Sequence, residues 1–192
     1  METFLAIPVM TFVDTDAWQS WLGDNHTDQT GVWIKIAKKD SGIPTVTYAQ
    51  ALDEALCHGW IDGQRRGYDE KYFLQKFTPR RKKSLWSQVN IGKVEALIQA
   101  GRMQAAGHEA IAAAKADGRW DAAYEPQSTA TIPLDFLTAL NNNKQAKQTY
   151  DSLNKADQYS YLWGLMTAKT PEIRATRILK MIEKLTTDKN GR

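Results

Sequence analysis

Apolar positions recur along this chain at two spacings, and the change from one to the other marks the elements. Thr11-Phe12-Val13 predicts a short strand, and Asp14 or Thr15 then caps a helix through Ala17, Trp18, Trp21 and Leu22. In Gly31 to Ala37, Val32, Ile34 and Ile36 alternate with Trp33 and Lys35, the two-residue period of a strand. Lys38 to Gly42 reads as a turn. Thr47 and Gln50 have capping-box spacing, Ala51, Leu52, Ala55 and Leu56 follow at helical period, and Gly59 ends that helix. Trp60–Arg66 and Tyr72–Thr78 are β-prone runs flanking Gly67 to Glu70, which predicts an antiparallel hairpin stopped by Pro79.

Beyond the hairpin the period is helical. Ser84 or Ser87 is placed to cap a helix carrying Ile91, Val94, Leu97 and Ile98, closed by Gly101. An alanine-rich helix over Gly107 to Ala116 ends before Gly118. Residues 125–133 (EPQSTATIP) have two prolines and no periodicity, and predict a linker. Pro133 starts the next helix and Asn141 to Asn143 break it. Asn154 caps another, with Tyr159, Leu162, Trp163 and Met166 on one face. Thr170-Pro171-Glu172 opens a last helix. There Ala175, Ile178, Leu179, Ile182 and Leu185 predict a buried stripe, and Arg174, Arg177, Lys180 and Lys184 the opposite, solvated one. The expected fold is α+β: a small antiparallel-containing sheet packed with helices (residues 1–124), the linker, and a C-terminal helical unit (residues 134–192).

Composition narrows the function classes. The 192 residues, 42% hydrophobic, suffice to bury a core without staples. Cys57 is the one cysteine, so no internal disulfide forms and a reducing, cytoplasmic setting is expected. The first residues lack a signal-peptide pattern, and no apolar run is long enough for a membrane span. Three histidines at wide spacings give no metal site. The formal charge is +3, but it is concentrated. Between Trp60 and Lys83 stand eight cations and three anions, which leaves the rest of the chain slightly acidic.

Two constellations carry candidate chemistry. Cys57-His58 with Asp62 has the residue types of a nucleophile, a base and its orienting acid. Adjacent side chains on a helix diverge by about 100°, however, and a buried cysteine beside a helix-end histidine explains the pair as well. The stronger candidate is the basic run before the Ser84–Ser87 helix start, where cations meet the free N–H groups of a helix end. It predicts an anion-binding groove lined by Arg65, Arg66, Arg80, Arg81, Lys82, Trp86 and Ser87. Interleaved aromatics (Trp60, Tyr68, Tyr72, Phe73, Phe77, Trp86) make single-stranded nucleic acid an alternative ligand. A solvated loop over core aromatics is the competing structural explanation.

Residues 54–111, with GWIDGQ, FTPR, SLWS and GRM, and the stretch from Leu134 to Leu185, ending AKTPEIRATRILKMIEKL, resemble the YdeI/OmpD-associated family of bacteriocin-protection proteins over nearly the whole chain. The family usually has a proline one residue after GRM, where this chain has Ala105-Ala106. The resemblance implies a bacterial, cytoplasmic protein linked to resistance against cationic antimicrobial peptides and bacteriocins. It brings no catalytic residue, cofactor or ligand residue to carry over. The expectation is therefore a stress-protection protein that binds an anionic ligand or a protein partner. A nucleic-acid or nucleotide binder, and an enzyme built on Cys57, His58 and Asp62, are the alternatives.

Overall fold

The computed structural model describes residues 2–28 and 30–187, which divide into two compact units. The first comprises residues 1–86 and 90–121, the second 87–89 and 122–192. Residues 125–133 thus belong to the second unit, where Tyr159 donates a hydrogen bond to the Glu125 carbonyl at 2.7 Å.

The first unit is built on a five-stranded mixed sheet, in the order β1 (Thr3–Phe4), β2 (Ile7–Met10), β3 (Val32–Ala37), β5 (Tyr72–Pro79), β4 (Trp60–Gly67). The strand expected at Thr11–Val13 is corrected to Ile7–Met10. Phe12 lies in the following loop, where its carbonyl accepts from Val46 N and its ring joins the aromatic core. Because β2 and β3 are parallel, the chain must cross over between them, and α1 (Thr15–Asn25) makes that crossover with Asp14 as its cap. β3 pairs antiparallel with β5, and β5 with β4, forming the expected hairpin.

Trp18 of α1 packs on Phe12, Trp21, Trp60 and Phe77 and donates from its indole to the Ala51 carbonyl at 3.0 Å. This covers the sheet face of Ile34 and Ile36. The opposite face buries Trp33 with Val9 and Leu74, so β3 is covered on both sides despite its simple alternation. α2 (Tyr48–Cys57) starts with the complete Thr47/Gln50 capping box and ends at Gly59, whose φ of +73° is a left-handed conformation suited to glycine. α3 (Gln88–Gln99) begins after Ser87, while the Ser84 hydroxyl closes the Arg81–Ser84 turn instead. α4 (Ala105–Ala116) packs on α2.

The second unit contains α5 (Leu134–Asn141), α6 (Lys144–Ser152), α7 (Lys155–Met166) and α8 (Pro171–Thr187), around Phe136, Leu140, Tyr150, Leu162, Leu165, Ile178 and Leu185. The sequence reading did not include α6, which Asn143 caps by accepting from Ala146 N. Two apolar stripes need correction. On α7, Leu162 and Leu165 are buried, whereas Trp163 is 37% exposed and packs edge-on against Tyr124. On α8, Ile178 and Leu185 are buried but Leu179 is 72% exposed, and Arg174 and Arg177 turn inward. The reason is polar. Arg177 donates to the Gly164 carbonyl, and Arg174 to the Leu165 carbonyl, which also accepts from Ala168 N, so both arginines bind the last turn of α7. Arg174 also forms a bidentate pair with Asp135, whose carboxyl it holds below the usual range.

Candidate functional site

Hairpin register places the basic run. Trp60 pairs with Pro79, so the chain leaving β5 runs beside the start of β4, and Arg80 N donates to the Gly59 carbonyl at 2.9 Å. Gly59 in turn sits against α4, whose Ala106 carbonyl would lie 2.7 Å from a Cβ at that position. Between these segments is a cavity of about 260 Å³, lined by Arg80, Arg81, Lys82 and Arg119, by His26 and His58, and by one face of α4.

The two internal arginines of this cup are held in place. The Arg80 guanidinium stacks on Trp86, 3.6 Å from the ring centre, and donates to the Leu85 carbonyl at 3.2 Å. Arg119 donates from Nε to both oxygens of Asp117 at 2.8 Å and from its fork to the Ser84 carbonyl at 2.9 Å. That pair holds the Asp117 carboxyl below its usual range, chiefly through the hydrogen bond from Arg119. The Arg81 and Lys82 side chains make no hydrogen bond or ion pair with the described residues. His58, only 7% exposed, faces the Glu54 carbonyl through Nδ1 at 2.9 Å. A carbonyl only accepts, so Nδ1 carries the hydrogen and Nε2 remains for the cavity. His26 is arranged alike, with Nδ1 3.0 Å from the Gly23 carbonyl.

Of the residues expected to line one groove, Arg80, Arg81 and Lys82 come together and the others do not. Trp86 is 2% exposed and serves as the platform under Arg80. Ser87 is a buried residue of the second unit, bridged to Tyr124. Arg65 and Arg66 lie towards the far end of β4, about 16 to 20 Å along the strand from Trp60 at about 3.3 Å per residue. As strand neighbours they point to opposite faces of the sheet. Arg65 stacks on Phe73 at 3.8 Å and lines a separate cleft with Tyr48 and Lys39. A β-bulge between Asp62 and Arg65 brings both to one face, and the buried Gln75 amide donates to the Gly63 and Gln64 carbonyls within that bulge.

The alternative readings lose their geometry. Cys57 is fully buried, and burial, with Glu54 nearby, pushes its thiol up to about 11. His58 is bonded to the Glu54 carbonyl, and Asp62 accepts from the Tyr48 hydroxyl at 2.8 Å, so the three do not form a relay. Iodoacetamide at mildly alkaline pH should therefore leave the native chain unmodified, since an acid with a raised pKa stays protonated there, and should alkylate Cys57 promptly in denaturant. Rapid native labelling, read by mass spectrometry, would contradict this. Four of the six aromatics proposed for base stacking, Trp60, Phe73, Phe77 and Trp86, are buried, which leaves Tyr68 exposed and Tyr72 half-buried, both against Lys35 and not against the basic run.

A family model for a domain of unknown function, DUF8412, matches residues 10–110, more than half of the chain. The chain belongs to that family. A second model, described as Bacteriocin-protection, YdeI or OmpD-Associated, matches residues 129–187. The YdeI/OmpD-associated resemblance thus holds for the C-terminal stretch, while GWIDGQ, FTPR, SLWS and GRM fall within the DUF8412 match. No curated protein and no solved structure matches the chain. Most of the cup lies in the DUF8412 region, with Ala113 and Arg119 just beyond it. Among the described residues no cluster of metal-ligating side chains occurs, and no helix is long and apolar enough to cross a membrane.

Sequence reasoning missed His26, Arg119 and Glu109 as lining residues, and placed His58 at a helix end, where it is the C-cap of α2, without joining it to the basic run. His58 had a signal, since it immediately precedes the glycine that turns the chain. Arg119 had none, being drawn in by Asp117 and the Ser84 carbonyl, which only folding brings near.

Proposed function

We propose that this DUF8412 protein acts by binding and not by covalent chemistry, and that the cup holds an anionic group of a ligand or partner. The observation that carries the reading is the cavity's charge: four cations and two histidines face one carboxylate. Anchoring supports it further, because arginines already held by carbonyls and an aromatic ring lose little freedom on binding. The C-terminal match supports a role in bacteriocin protection, and the cytoplasmic, stress-protective setting implied by the resemblance is part of the same proposal.

Calorimetric titration with inorganic phosphate tests the reading on Arg81→Ala/Lys82→Ala. Among the described residues these side chains have no hydrogen-bond or ion-pair partner to lose, so folding stability should stay within about 1 kcal/mol of the parent. Phosphate affinity should fall by at least about tenfold, and the parent's affinity should weaken with added salt. Unchanged affinity in the double variant would refute the cup as the anion site. In the source strain deleted for this gene and challenged with a cationic antimicrobial peptide, the parent should restore survival and the double variant should not.

A further inference from the structure

Glu109 does not fit a cavity that takes any anion. It is the one carboxylate among the described lining residues, set on the α4 face formed by Ala106, Glu109, Ala110 and Ala113. It forms no ion pair with the arginines and lysine around it, nor any side-chain hydrogen bond with the described residues. An ionised carboxylate only accepts hydrogen bonds, so beside a fully deprotonated anion it contributes repulsion alone.

We infer that the cup selects an oxyanion that still carries a hydrogen, orthophosphate being the ligand class, and that Glu109 sets this preference. The inference rests on the anion-binding reading and goes beyond it to the identity of the ligand. The two walls divide the work. Arg81 and Lys82 donate to the charged oxygens, and Arg80 and Arg119, anchored in the wall, add positive charge beside them. The α4 wall otherwise presents alanine methyls, so Glu109 is its only side-chain acceptor. Orthophosphate keeps at least one O–H near neutral pH and can donate it there. Sulfate has none, and a phosphate monoester loses its last one above a pKa of about 6. The volume of about 260 Å³ lies below the roughly 300–1,000 Å³ of drug-sized sites, which suits a small anion with its water better than a nucleotide.

The test is calorimetric titration of the full chain, slightly above neutral pH and at fixed ionic strength, with orthophosphate, sulfate and phenyl phosphate. The parent should bind orthophosphate at least about tenfold more tightly than either of the others. In Glu109→Gln the repulsion is gone and the amide can donate, so sulfate should bind more tightly and the preference should fall towards unity. Glu109 is exposed and has no side-chain partner among the described residues, so the fold is not at stake. Equal binding of orthophosphate and sulfate by the parent, or an unchanged preference in the variant, overturns the selectivity while leaving anion binding intact. Preference for phenyl phosphate overturns it in favour of an esterified group. Binding of none of the three overturns this inference and the anion-binding reading together.

Discussion

Gly107→Ala should destabilise the first unit by about 3 kcal/mol or more, shifting its urea midpoint far below the parent's. Gly107 is buried in the first turn of α4, where α4 crosses the end of α2. A methyl group there would sit 2.2 Å from the Cys57 carbonyl oxygen and 2.6 Å from Met103 Cε. Methionine can swing away, but the carbonyl cannot. It is backbone, and it already accepts from Gln104 N at 3.1 Å. Overpacking commonly costs 1–3 kcal/mol, and a clash with fixed backbone belongs at or above the top of that range. Gly107 is helical, so strain from a left-handed conformation plays no part, and the gain in helix propensity from alanine offsets only about 1 kcal/mol. A midpoint unchanged from the parent would mean that α4 does not approach α2 this closely.

Arg102→Ala should cost about 3 kcal/mol or more, because it strands a carboxylate. Glu54 on α2 is 3% exposed, and Arg102 is its ion-pair partner. The end of α3 aims the arginine. Arg102 N bonds to the Leu97 carbonyl and Gly101 N to the Ile98 carbonyl, with Gly101 at φ +67°, the two-bond Schellman closure of a helix. Removing one partner of a buried pair typically costs 3–5 kcal/mol, whereas replacing the pair with apolar residues is often neutral. Since the Arg102 side chain is 44% exposed, the lower end of that range applies. Glu54→Leu combined with Arg102→Ala should recover most of the loss. Chemical denaturation of the two single variants and the double variant checks this, and simple additivity would show that the pair is not coupled.

Local signals were legible wherever one segment sufficed to define them. The Thr47/Gln50 capping box, the left-handed Gly59, the Trp60–Arg66 and Tyr72–Thr78 hairpin and the Thr170-Pro171-Glu172 helix start all appear where side-chain chemistry placed them. Each depends on residues within a few positions of one another, so local geometry fixes it. The face an element turns to the core was less legible. On α8 an apolar stripe through Leu179 and Ala175 looked adequate, yet the helix is rotated so that Arg174 and Arg177 reach the last carbonyls of α7. Hydrophobic periodicity does not record the carbonyls that end a neighbouring helix.

The candidate site divides in the same way. Charge clustering singled out Arg80, Arg81 and Lys82, because eight cations in a short stretch are visible without any fold. Sequence proximity also enlisted Arg65, Arg66 and Ser87, which strand length, pleat alternation and the division into units place elsewhere. The sequence by itself determined the α+β class, most element boundaries, the basic character of the hairpin region and the C-terminal resemblance, since these follow from short-range chemistry and composition. Only the tertiary structure decided that β2 and β3 run parallel, that Cys57 is sealed and that His26, His58, Glu109 and Arg119 meet around the basic turn. Those outcomes depend on register and on a fold that brings residues as far as 93 positions apart, His26 and Arg119, to one cavity. No local pattern encodes such contacts.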